Sequence, residues 1–190
     1  MRTLIESTFV SLGGDIAAPQ EWGWPYLNCP DGSALNHELL FGADALVLGR
    51  KTYEGLSAAY TRMAAEDQEP GPMTDFVRRM NAIPKYVASR SLTAMSWNAA
   101  PLGSDVAGEL AAIKQQGNGY LLKYGTGPLD KTLIEHGLVD EFRIWVVPVT
   151  TPPAQRLFED VGSVGLELTG STTLSTGVIV LTYVPRKEAA

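Results

Sequence analysis

Residues 43–48 (ADALVL), followed at once by Gly49-Arg50-Lys51-Thr52-Tyr53-Glu54, constrain the fold of this chain more than any other stretch. Their apolar residues run on without alternation, which fits a short parallel strand covered on both faces. The glycine and the two cations then mark a sharp exit, and a second helix is expected to begin there. A buried strand of this kind needs parallel neighbours and helices above and below it.

The rest of the chain supplies both. Residues 3–10 (TLIESTFV), 85–88 (KYVA), 120–123 and 141–148 read as further strands, with a shorter one at 97–101. Helices are expected at 33–41, with Leu35, Leu39 and Leu40 on one side, and at 105–116, where Val106, Leu110 and Ile113 recur at helical spacing. Another opens near Pro128 and buries Leu129, Leu133 and Ile134. Residues 74–80 read as a helical turn, and residues 165–184 as a terminal hairpin around Ser175-Thr176-Gly177. Residues 17–32 hold Pro19, Pro25 and Pro30 with Trp22, Trp24 and Tyr26 between them, and read as a long ordered loop. Residues 60–73 are polar around Pro70-Gly71-Pro72 and are the best insertion or lid candidate. The pattern predicts one α/β domain over residues 1–190, in three α/β/α layers, with a mostly parallel mixed sheet and an antiparallel C-terminal hairpin.

Composition narrows the functional classes. A net charge of −6 over 190 residues argues against nucleic acid or an anionic membrane as the main partner. One cysteine, Cys29, forms no internal disulfide, and it has no evident activating base. His37 and His136 show no metal-ligand spacing and read as helix-surface residues, so no metal is expected. No apolar run approaches a bilayer span and no signal peptide is evident, so the expected compartment is the cytoplasm.

Three strand-to-helix turns place small or cationic residues where open α/β sheets bind ligands. In Gly49-Arg50-Lys51-Thr52 the helix N-terminus, two cations and a hydroxyl suit a phosphate, or make a tight turn with solvated cations. Ser89-Arg90-Ser91 offers a second phosphate site or a plain surface turn. Gly125-Thr126-Gly127 is half of a dinucleotide-binding glycine turn, with Asp130 where a third glycine would stand, or a loop glycine pair. Asp31 reads as a helix N-cap in preference to a catalytic acid, and Asp15 as a turn residue. Trp22, Trp24 and Tyr26 wall a flat heterocycle, pack in the core or meet a second subunit.

Taken in order, Thr8-Phe9-Val10-Ser11-Leu12, residues 45–54, residues 84–92, residues 125–129, residues 133–141, Pro148 and Arg156-Leu157-Phe158 resemble the dihydrofolate-reductase-like reductases, which share the fold of the C-terminal reductase domain of bacterial riboflavin biosynthesis. The resemblance implies an NADPH-dependent reductase, with hydride passing to a small, pterin- or pyrimidine-like heterocycle, and a homodimer. It implies that Gly49, Arg50, Lys51 and Thr52 hold the pyrophosphate side, and that Ser89 and Arg90 sit near the adenosine 2′-phosphate. Gly125, Thr126, Gly127 and Leu129 would lie along the other phosphate and the nicotinamide ribose, with Val10 and Ile16 flanking the nicotinamide. Asp31 is the nearest match to the family's carboxylate, and the proton comes either from it or from bound water. Two departures stand out: Gly13-Gly14 replaces the usual Asp-Gly, and residues 149–155, with Pro152-Pro153, replace a glycine-rich loop. They leave open a second reading, a nucleotide-binding or interaction module on the same fold without catalysis.

Overall fold

The computed structural model describes residues 1–66, 69–92, 94–152 and 154–186. Its order is β1 (Thr3–Ser11), α1 (Pro19–Trp22), α2 (Trp24–Leu27), α3 (Pro30–Gly42), β2 (Ala43–Gly49), α4 (Arg50–Ala65), α5 (Pro72–Ala82), β3 (Lys85–Ala88), β4 (Ala99–Leu102), α6 (Val106–Lys114), β5 (Tyr120–Tyr124), α7 (Pro128–Glu135), β6 (Glu141–Val147), β7 (Leu166–Thr173) and β8 (Ile179–Pro185). The sheet runs β4-β3-β2-β5-β1-β6-β8-β7. β4 to β6 are parallel, and the β7–β8 hairpin joins β6 antiparallel. This is the expected mixed sheet with its antiparallel hairpin.

Leu46, Val47 and Leu48 of β2 are wholly buried because both sheet faces are covered. One core joins Leu46 and Leu48 to Leu39 and Leu40 of α3, Met80 of α5, and Trp145 of β6. The other joins Val47 to Leu4 and Val10 of β1, Leu110 of α6, Leu133 of α7, and Phe142 of β6. Alternate residues of each central strand therefore enter alternate cores.

Four local expectations change. The 17–32 segment is not one loop: Pro19 and Pro25 stand at helix starts, and α3 begins at Pro30, not at Ser33. Proline is favoured there, since the first helical N–H has no intrahelical partner. Residues 60–73 are largely helical, because α4 continues to Ala65 and α5 starts at Pro72; Asp67 and Gln68 lie outside the described residues. The expected turn at 74–80 is thus the middle of a full helix, Pro72–Ala82. β4 starts at Ala99, after Trp97 and Asn98 turn the chain in the left-handed region, at φ 60° and 52°.

Candidate functional site

The carboxyl ends of β1, β2, β3, β5 and β6 lie along one edge of the sheet. β2 and β3 finish in register at Gly49 and Ala88, so Arg50 and Arg90 leave neighbouring strands at the same edge. Arg50 begins α4, and its Nη1 is 3.2 Å from both Glu54 carboxylate oxygens, one helical turn on. Lys51 and Arg90 are exposed, and no ion pair holds either among the described residues. Ser89 Oγ accepts from the N–H groups of Ser91 and Leu92, which folds this turn back on itself.

The first and third turns touch. Gly125 has φ +71°, and a Cβ added there would lie 3.0 Å from Thr52 Oγ1. A side chain at this position would strain the backbone and displace Thr52. Gly125 N–H donates to Ser7 O of β1 at 3.3 Å, and Gly127 N–H to Asp130 Oδ2 at 2.5 Å. Between them, the Thr126 hydroxyl is buried with no hydrogen-bond partner among the described residues. Open space faces Gly49 and Gly127. Val10 and Ile16 are buried in the core beneath α6 and α7, which Leu129 also packs against.

Asp31 is not the N-cap of α3: Cys29 holds that place, and Asp31 lies in the first turn. Its carboxylate accepts from Ser175 N–H at 2.6 Å, Ser175 Oγ at 2.9 Å and Gly32 N–H at 3.1 Å. The Ser175 backbone bond, with further donors from Cys29 and the Ser175 hydroxyl, holds it well below the usual carboxylate range. It is therefore ionised at neutral pH. Trp22 and Tyr26 pack against the core, while Trp24 is 55% exposed. Among the described residues no group of three or more His, Cys, Asp or Glu side chains is placed to hold a metal, and no helix is long and apolar enough to cross a membrane.

Two features escaped the sequence reading. Asp15 is buried, and its Oδ1 accepts from Gln155 N–H at 2.9 Å, Ala154 N–H at 3.0 Å and Ala17 N–H at 3.4 Å. It thereby pins the loop after β6 to the loop after β1; of the two prolines in that loop, Pro153 lies outside the described residues. Beneath the glycine turn sit three further buried ionisable side chains, Glu6, Lys123 and Asp130. A signal for them was present, since Glu6 ends the Leu4-Ile5 apolar pair and Lys123 stands within the apolar and aromatic strand β5.

The model of the RibD C-terminal domain family matches residues 2–180. This chain belongs to that family. The chain is 26% identical over 141 residues to the uncharacterized protein YyaP of Bacillus subtilis (strain 168), covering 74% of this chain and 73% of YyaP. The solved structures it resembles share the fold. A candidate riboflavin biosynthesis protein from Shewanella sp. PV-4 superposes with a TM-score of 0.68 at 18% identity, covering 97% of this chain and 99% of the other. A pyrimidine reductase-like protein from Corynebacterium diphtheriae gives 0.65 at 14% identity, covering 98% and 93%. Dihydrofolate reductase from Enterococcus faecalis, complexed with NADP(H) and RAB-propyl, gives 0.64 at 17% identity, covering 97% of each chain. The RibD C-terminal family chain thus has the dihydrofolate-reductase-like fold expected from its motifs.

Proposed function

We propose that this protein is an NADPH-dependent reductase acting on a small, flat heterocycle of the pterin or pyrimidine type. The observation that carries the reading is the contact of Thr52 with Gly125, beside a Thr126 hydroxyl that is buried and has no hydrogen-bond partner among the described residues. A buried polar atom without a partner is costly, and a phosphate oxygen is a suitable acceptor for it. The start of α4 adds unpaired N–H groups and the partial positive charge of a helix end. Family membership and the NADP(H) complex of the similar Enterococcus reductase support the same choice of ligand.

In this reading Gly49, Arg50, Lys51 and Thr52 hold the pyrophosphate side. Ser89 and Arg90 meet the 2′-phosphate, and Gly125, Thr126, Gly127 and Leu129 follow the remaining phosphate and ribose. Val10 and Ile16 support the nicotinamide ring. The bound cofactor supplies hydride at its nicotinamide. The protein's own work is positioning and partial exclusion of water. With Asp31 held ionised by Ser175, bound water supplies the proton.

The test is calorimetric and spectroscopic. NADPH raises the melting temperature by preferential binding to the folded state, and its absorbance falls when a heterocycle from a pterin and pyrimidine panel is reduced. Arg50→Ala weakens NADPH binding by about 1–3 kcal/mol, the scale of a hydrogen bond to a charged group. No thermal shift overturns the reading. Binding without turnover on any acceptor favours instead a non-catalytic nucleotide-binding module, which the altered loop at residues 149–155 also motivates.

A further inference from the structure

Glu6 of β1 and Lys123 of β5 are register partners on adjacent strands. Both lie on the sheet face covered by α6 and α7, and α7 brings Asp130 against them. The Lys123 ammonium contacts Asp130 Oδ1, lies 3.5 Å from Glu6 Oε2, and donates to Gly125 O at 2.5 Å. Asp130 takes the Gly127 N–H with its other oxygen. The ammonium therefore holds the carbonyl on one side of Thr126, and the carboxylate holds the amide on the other. All three side chains are essentially out of solvent, and among the described residues neither Glu6 oxygen makes a well-formed hydrogen bond.

We propose that Glu6, Lys123 and Asp130 are positioning residues for the Gly125-Thr126-Gly127 turn, and that an ionised Glu6 and a phosphate group on that turn exclude one another. The inference rests on the phosphate reading above.

Charge balance gives the reason. With Glu6 protonated, Lys123 and Asp130 cancel. With Glu6 ionised, the cluster carries one net negative charge, away from water and next to the turn. There it repels a phosphate far more strongly than it would in solvent. Burial makes Glu6 keep its proton up to about 8; Lys123 works against this and Asp130 adds to it. For Lys123 the two carboxylates outweigh burial and hold its proton more firmly. The charged groups facing Glu6 are Lys123 from β5 and Asp130 from α7. β6 sets Phe142 beside it in register, and α6 adds Leu110 to the same face.

Calorimetric titration of the full chain with NADPH between pH 7 and 9 tests this, because the phosphates of NADPH have already ionised over that range. Kd of the wild type is expected to rise roughly 5–10-fold from pH 7 to 9, the effect of one nearby buried charge. In Glu6→Gln that dependence disappears. At pH 8 the wild type also takes up a fraction of a proton on binding, seen as heat that varies with the ionisation enthalpy of the buffer; this readout needs no variant. Wild-type binding with a constant Kd and no proton uptake overturns the inference and leaves the phosphate reading standing, as does a Glu6→Gln protein that keeps the wild-type pH dependence. No binding at any pH defeats both.

Discussion

Asp15 accepts hydrogen bonds from three backbone N–H groups, two of them from residues about 140 positions further along the chain. Burial works against its charge, but the Gln155, Ala154 and Ala17 N–H groups and the Thr151 hydroxyl outweigh it and lower its affinity for a proton. Asp15→Ala would leave the Ala154 and Gln155 amides without their acceptor, at a cost of about 1–3 kcal/mol in urea unfolding. Asp15→Asn keeps one oxygen and is expected to lose less. Equal stability of all three proteins would show that water serves the loop as well as the carboxylate does. From the sequence, Asp15 could be placed after a glycine pair but not given its role, because its partners are some 140 residues away. Lys123 and Glu6 pose the same difficulty: each is a charged residue type within a strand, yet only the strand order brings them together.

At the scale of elements, the tip of the β7–β8 hairpin is fastened to the start of α3. Asp31 takes the Ser175 N–H and hydroxyl, and Thr176 Oγ1 donates to Tyr26 O at 2.7 Å. Asp31→Ala is expected to speed hydrogen exchange at Ser175, Thr176 and Gly177 while the amides of β1 keep their protection. Unchanged exchange at the tip would show that the contact holds nothing in place. Elements with strong apolar patterns were legible: β2, β3 and β6 fall within a residue of their expected bounds. α4 was cut short because only Tyr53 of its sixteen residues is buried, which leaves little periodicity to read over its second half. Residues 17–32 misled for another reason. Their prolines looked like breaks but stand at helix starts, as Pro128 does.

For the molecule as a whole, the charged groups set opposite slopes of stability with pH. Glu6 has its proton affinity raised from 4.5 to about 8 in the folded state. Over that window the unfolded chain releases the proton and the folded chain keeps it, so stability falls as pH rises. Asp15 and Asp31 are shifted the other way, and what they contribute is lost as pH falls below the ordinary carboxylate range. The melting temperature should therefore peak in weakly acidic solution and decline toward pH 8, and Glu6→Gln should flatten that decline. Scanning calorimetry across pH 4–8 decides it; a wild-type profile that climbs to pH 8 would show that Glu6 ionises readily in the folded chain. The layered architecture and the edge carrying the turns were readable from alternating strands and helices. The order of strands across the sheet was not, since it follows from crossovers that no local pattern encodes.

The Glu6–Lys123 pairing of β1 with β5 also bears on how the sheet finds its register. A slip of one residue turns every side chain of β1 to the wrong face. A slip of two keeps the faces but sets Glu6 beside Leu121 or Gly125, stranding a carboxyl group and an ammonium apart in a dry interior, where each is costly without its partner. The pair thus acts as a key at the middle of the sheet that favours the native register over its neighbours.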